Sequence, residues 1–330
     1  MTLDPEELFV LDADRPELSG AVLLHSLDGF VDAGAAVRLA RATLLSGDAP
    51  VVARFDVDQL HDYRARRPIM RFDVDHWTEY DTPQLVVHLL HDQEDTPYLM
   101  LSGPEPDTQW ERFVAAVALL VERLGVRLVI GLDAFPMSMP HSRPTPIIVH
   151  GSRRELFADY RAWLGHIMVP ASAGHLLEYR LGAAGIDALG IAAPVPPYLS
   201  QTEYPTAALA LLGEAGARAG LRFDTTSLED TERLTRQAIE REIAGSEELQ
   251  TLVAALEQQY DAAAAAAQTA LAEGDLPSAD EQVPSSNASS PTSPAATEAA
   301  SNAGPNSSID PAHVEQRHDA RLISSPRWAA

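Results

Sequence analysis

The chain has no cysteine and no lysine. The first absence excludes disulfides, thiolate nucleophiles, Cys-ligated zinc and iron–sulfur clusters. The second excludes the lysine of a Walker phosphate loop, a Schiff base with pyridoxal or substrate, a kinase-type lysine, and the lysines that nucleotide-dependent ligases place on phosphates. A compositional drift toward arginine and alanine accounts for the missing lysine, and the chemical exclusions hold whatever its cause. Positive charge is scarce as well: 24 arginines face 48 acidic residues, a formal net charge of −24. Such a field repels phosphate backbones and anionic headgroups, so neither nucleic acid nor a membrane surface is an expected partner. No apolar run approaches the ~20 residues of a membrane span. The stretch Met1 to Glu7 is acidic rather than a basic signal-peptide start. A cytoplasmic location is the expectation.

What the chain does have, at 330 residues and 45% hydrophobic content, is enough apolar material for one large core or two ordinary ones. Apolar runs at 21–25, 51–56, 70–74, 85–90, 98–101, 128–132, 147–150 and 189–192 read as strands. Helical patterns at 33–45, 110–124, 173–184 and 206–219 alternate with them. This alternation predicts a layered α/β core domain with a mixed sheet, over residues 1–226. From 227 to 272 the pattern is helix alone. Leu249, Leu252, Val253, Leu256 and Tyr260 recur at three and four residues and give one apolar face. This is a helical hairpin or arm, packing either on its own domain or on another subunit. Beyond it, 273–330 is rich in Ser, Pro, Ala, Asn and Thr and is expected to be disordered, with Trp328 its one residue of interaction potential.

Two proline-framed loops follow strand-like runs: Ser102-Gly103-Pro104-Glu105-Pro106-Asp107 ahead of Trp110, and Pro136-Met137-Ser138-Met139-Pro140-His141-Ser142-Arg143-Pro144. Open α/β sheets build their crevices at such places, and proline holds the polar residues between them. Glu105 and Asp107 suit general acid and base roles, or Asp107 caps the helix that carries Trp110. His141, Ser142 and Arg143 put a base, a hydroxyl and a cation in one loop. No Gly-x-Ser-x-Gly elbow accompanies them, which argues against a serine hydrolase. Asp28 and Asp32 flank the start of the first helix, where Asp32 is the expected N-cap. Their charge disfavours a phosphate there and suits capping, or a bound amine or metal. Arg64, Arg66 and Arg67 form a basic island able to grip a carboxylate or phosphate, or to pair with acidic surface on the same or a neighbouring subunit. The histidines show no His-Glu-x-x-His helix and no close metal spacing, and Gly213, Gly216 and Gly220 lack the strand and spacing of a dinucleotide loop. No catalytic residue, metal ligand set or cofactor is assigned.

Several stretches together resemble the proteasome assembly chaperone 2 family in its actinobacterial branch. They are Asp28-Gly29-Phe30-Val31-Asp32-Ala33-Gly34, Tyr63-Arg64-Ala65-Arg66-Arg67-Pro68, the two proline-framed loops, Val169-Pro170-Ala171-Ser172, Val195-Pro196-Pro197-Tyr198 with Tyr204-Pro205, and Leu256-Glu257-Gln258-Gln259-Tyr260-Asp261. The resemblance covers roughly residues 8 to 262. It implies a phosphorylase-like α/β fold with a C-terminal helical arm, and self-association, a trimer being one arrangement. Eukaryotic relatives help assemble proteasome rings, so proteasome subunits are candidate partners and a non-catalytic interaction protein is the leading expectation. Proteasome-docking tails carry a penultimate tyrosine; this chain reads Trp328-Ala329-Ala330, which shifts the expected contacts to the loops and the arm. The rival expectation is a small-molecule binder or enzyme with a phosphorylase-like pocket. There Arg66, Arg67 and Arg143 would hold an anion while Glu105, Asp107 or His141 move protons.

Overall fold

The computed structural model describes residues 3–47, 49–161 and 165–272. The expected disordered tail, with Trp328, lies outside the described residues. In chain order the strands are β1 (Phe9–Leu11), β2 (Ala21–Asp28), β3 (Val51–Phe55), β4 (Met70–Asp73), β5 (His76–Tyr80), β6 (Val86–His91), β7 (Pro97–Pro104), β8 (Val126–Pro136), β9 (Ile148–Gly151) and β10 (Ala188–Val195). The helices are α1 (Ala36–Leu44), α2 (Trp110–Arg123), α3 (Ala173–Ala183), α4 (Pro205–Ala219), α5 (Thr226–Ala244) and α6 (Glu247–Ala272). Among the described residues no helix is long and apolar enough to cross a membrane.

Eight strands make one mixed sheet in the order β1-β3-β6-β7-β2-β8-β10-β9. Its centre, β7-β2-β8-β10, is parallel, and its flanks are antiparallel. Parallel strands are buried on both faces and read as continuous apolar runs; β10 is buried along its whole length. Successive side chains alternate between two cores, as the period of two requires. Leu24, Ile130 and Ile191 face α1 and α4, while Leu23, Val129 and Ala188 face α2 and α3.

Helix starts follow local chemistry. Asp32 caps α1 as expected, but from a distance: its carboxylate accepts the N–H groups of Val37 (2.8 Å) and Arg38 (3.0 Å). The helix proper begins at Ala36 rather than Ala33, because Gly34 (φ 65°) and Ala35 (φ 48°) turn left-handed first. Gly34 is needed there, since a Cβ would sit 2.8 Å from that of Tyr204. Pro205 opens α4 and Gly220 (φ 71°) closes it, the usual asymmetry of helix ends.

One expectation changes shape, and one open alternative is resolved. The strand expected at 70–74 does not join the main sheet: β4 pairs only with β5, as a separate two-stranded hairpin exposed along both strands. The helical arm is two helices, and α6 packs on its own chain, burying Val253 and Leu256. The buried Glu232 of α5 accepts a hydrogen bond from Thr206 of α4 (3.0 Å) and pairs with Arg236.

Gly103 (φ 138°) lets β7 pass the backbone ahead of β6, where a Cβ would lie 2.1 Å from the Gln84 carbonyl oxygen. Gly103→Ala is expected to destabilise the fold by about 2 kcal/mol or more. Gly213→Ala, at an exposed position of α4 with open space beside it, is expected to add about 0.5–1 kcal/mol. Urea midpoints of the two variants check both signs.

Candidate functional site

The chain brings Asp28, Arg66, Glu105 and Asp107 together at the C-terminal ends of β2 and β7. Arg66 is the fastener. Its guanidinium pairs with Asp107 (2.7 Å), donates to the Asp28 carbonyl (3.2 Å) and reaches the Glu105 carbonyl. Asp107 also accepts the Asp62 N–H (2.6 Å), and His61 donates from Nε2 to the Arg66 carbonyl (2.8 Å). Burial would raise the Asp107 carboxyl, but the hydrogen bonds from Arg66 and the Asp62 N–H, with the Arg66 charge, outweigh it and hold the group below its usual value. Asp107 therefore does not cap α2. Gln109, left-handed at φ 57°, precedes that helix, and Trp110 donates from Nε1 to the Pro106 carbonyl (2.5 Å). The Asp28 carboxylate pairs with Arg41 (2.7 Å). Arg64 and Arg67 are exposed.

His141, Ser142 and Arg143 face the arm instead. The Arg143 guanidinium donates to both Asp261 oxygens (2.8 and 2.7 Å) and lies 3.3 Å from Glu257, which also accepts from Ser142 Oγ (2.5 Å). His141 meets the Tyr198 hydroxyl through its N–H (2.9 Å) and Nδ1 (2.8 Å), and burial holds its imidazole below the usual value. Ser142 and Arg143 latch α6 to the core, and His141 fastens the same loop to Tyr198. Arg66 and Arg143 are thus each spent on carboxylates of the chain, and the anion-gripping arrangement expected of Arg66, Arg67 and Arg143 is not assembled.

A cavity of about 350 Å³ opens between β2, β8, β10, β9 and the start of α3. Of the charged candidates only Glu105 lines it. Its floor is one row across the sheet, where His25, Gly131, Gly190 and His150 are register partners on β2, β8, β10 and β9. The glycines make room for the imidazoles: a Cβ on Gly131 would lie 2.7 Å from the His25 ring, and one on Gly190 would lie 2.0 Å from that of His150. Gly174, on the first turn of α3, closes over His25. His150 pairs with Glu178 (2.9 Å), and His175 with Asp133 (2.7 Å). The hydrogen bond to Asp133 raises His175. Burial lowers His25 to about 4, against the Glu178 and Asp133 charges that pull it upward. Among the described residues no group of three or more His, Cys, Asp or Glu is placed to hold a metal ion.

His25, Asp133, His150, His175 and Glu178 were not among the sequence candidates. The available signal was a histidine inside an otherwise apolar strand, together with glycines inside the strands at 131 and 190, since a strand glycine marks close approach.

Because His25 is neutral when folded and ordinary when unfolded, the unfolded state binds the extra proton between about pH 6.5 and 4, so acid in that window destabilises the fold. Relative to His25→Gln, the wild type is expected to lose on the order of 3 kcal/mol between pH 7 and 4. Denaturant midpoints across that range measure the difference.

The sequence pattern of the PAC2 family matches residues 26–243. A *Mycobacterium tuberculosis* protein of unknown function, Rv2714, is similar at 44% identity, with 79% of this chain and 91% of that one covered and a TM-score of 0.75. A *Corynebacterium glutamicum* protein of unknown function follows at 36% identity, with 77% and 97% covered and a TM-score of 0.73. The *M. tuberculosis* proteasome-assembly chaperone homologue Rv2125 shares the fold at 23% identity, with 70% and 99% covered and a TM-score of 0.64. No curated protein is matched. With its mixed sheet and a family pattern running from β2 into α5, the chain belongs to the PAC2 family.

Proposed function

We propose that this chain is a non-catalytic, self-associating interaction protein that assists assembly of proteasome rings in the cytoplasm. Family membership supports the reading, as does the fold shared with a proteasome-assembly chaperone homologue. The observation that carries it is the β4–β5 hairpin. Phe72 (55% exposed), Val74 (90%) and Trp77 (61%) stand in water on a two-stranded ribbon, with Ile69, Met70 and Tyr80 exposed beside them. Phe72 and Trp77 pack edge to face at 5.0 Å. An isolated two-stranded hairpin is marginal in water, and a clustered apolar surface of this kind marks a protein contact. A second copy of the chain is the partner that covers it, and the loops and arm are left for proteasome subunits.

The double substitution Phe72→Ser and Trp77→Ser is expected to convert an oligomer of the 35.6 kDa chain into a monomer with unchanged circular dichroism, because the hairpin adds nothing to either core. Light scattering after size exclusion reads this. The wild type is expected to bind purified proteasome subunits of its own organism and to speed ring assembly. Absence of both binding and a rate change rejects the proteasome role.

A further inference from the structure

The cavity over the glycine row is finished like a binding site, although the interaction reading gives it no task. His25 is 6% exposed, lies on the cavity floor and has no hydrogen-bond partner among the described residues. Its ring nitrogens are open to the cavity and are not among the sealed, unpartnered polar atoms, so a ligand in the cavity can meet one of them. The volume falls at the small end of small-molecule pockets, about 300–1,000 Å³.

The lining selects the ligand's charge. Glu105, Asp133 and Glu178 contribute three carboxylates, the last two paired with His175 and His150, and among the described residues no arginine lines the cavity. At the N-terminus of α3, which attracts anions, two of the donors already meet side chains: Glu105 accepts the Ala173 N–H (2.6 Å) and Ser172 accepts that of His175 (3.0 Å). A phosphate or carboxylate at the helix end would meet the Glu105 carboxylate already seated there. Much of the remaining wall is apolar, with Leu27, Phe135 and Ile148 half-buried inside and Val169 (60% exposed) and Phe30 (76% exposed) at the mouth.

The geometry points to a binding site here for a small organic amine, its apolar body against Phe30, Phe135 and Ile148 and its protonated nitrogen donating to His25 and Glu105. A neutral imidazole is the form that can accept from an ammonium, and Glu105 is the lining carboxylate with no histidine or arginine paired to it among the described residues. The inference is independent of the hairpin.

The test uses matched compounds with one body and different heads. 2-Phenylethylamine, 3-phenylpropionate and 2-phenylethyl phosphate, then tryptamine against indole-3-propionate, are titrated into the full chain while the His25 ring resonance is followed. At least one amine is expected to shift it saturably, at least tenfold more tightly than its carboxylate or phosphate counterpart. Glu105→Gln, which keeps an oxygen for the Ala173 N–H, is expected to weaken the amine about tenfold. The hairpin double variant is expected to bind it normally. Equal or tighter binding of an anionic counterpart, no amine that moves His25, or an unchanged affinity in Glu105→Gln would overturn the site.

Discussion

Everything in this fold answers to the parallel centre of its sheet. Strands β7, β2, β8 and β10 are apolar on both faces, so helices must cover both, and each crossover leaves a loop at a strand end. Those ends are where polar residues can stand, because the strands themselves have no room for them. The exception is the row from His25 to His150. There two glycines open the floor of the sheet, and two imidazoles take the space that side chains would fill.

Charge is deployed sparingly around that frame. Arg66 ties the ends of β2 and β7 to the loop around His61, and Arg143 ties the loop after β8 to α6. Singly, exposed pairs add little, but a bidentate guanidinium within a network holds one geometry. The chain thereby uses its scarce cations as internal fasteners. The cavity is left acidic and the hairpin apolar, two surfaces suited to different kinds of partner.

Much of the fold was legible because its signals are local. The apolar runs of β2, β8 and β10 and the Asp32 cap reappear, as does part of the α6 face, where Val253 and Leu256 are buried and Leu252 is exposed. Legibility failed where the partner is distant. Arg143 reads as a free cation until α6, 118 residues on, supplies Asp261. Asp107 reads as a cap because nothing nearby announces Arg66. The run at 70–74 reads correctly as a strand, but the sequence does not show that it pairs with 76–80 outside the main sheet. His25 looks like a core histidine until the sheet register sets Gly131 beside it.

The central claim is a division of labour: the arm is latched to its own chain while the hairpin meets another copy. Hydrogen exchange of the full chain at rising protein concentration tests it directly. The account predicts that amides of residues 70–80 gain protection with concentration while those of 249–261 stay constant. Gain confined to the arm, with the hairpin unchanged, would contradict it.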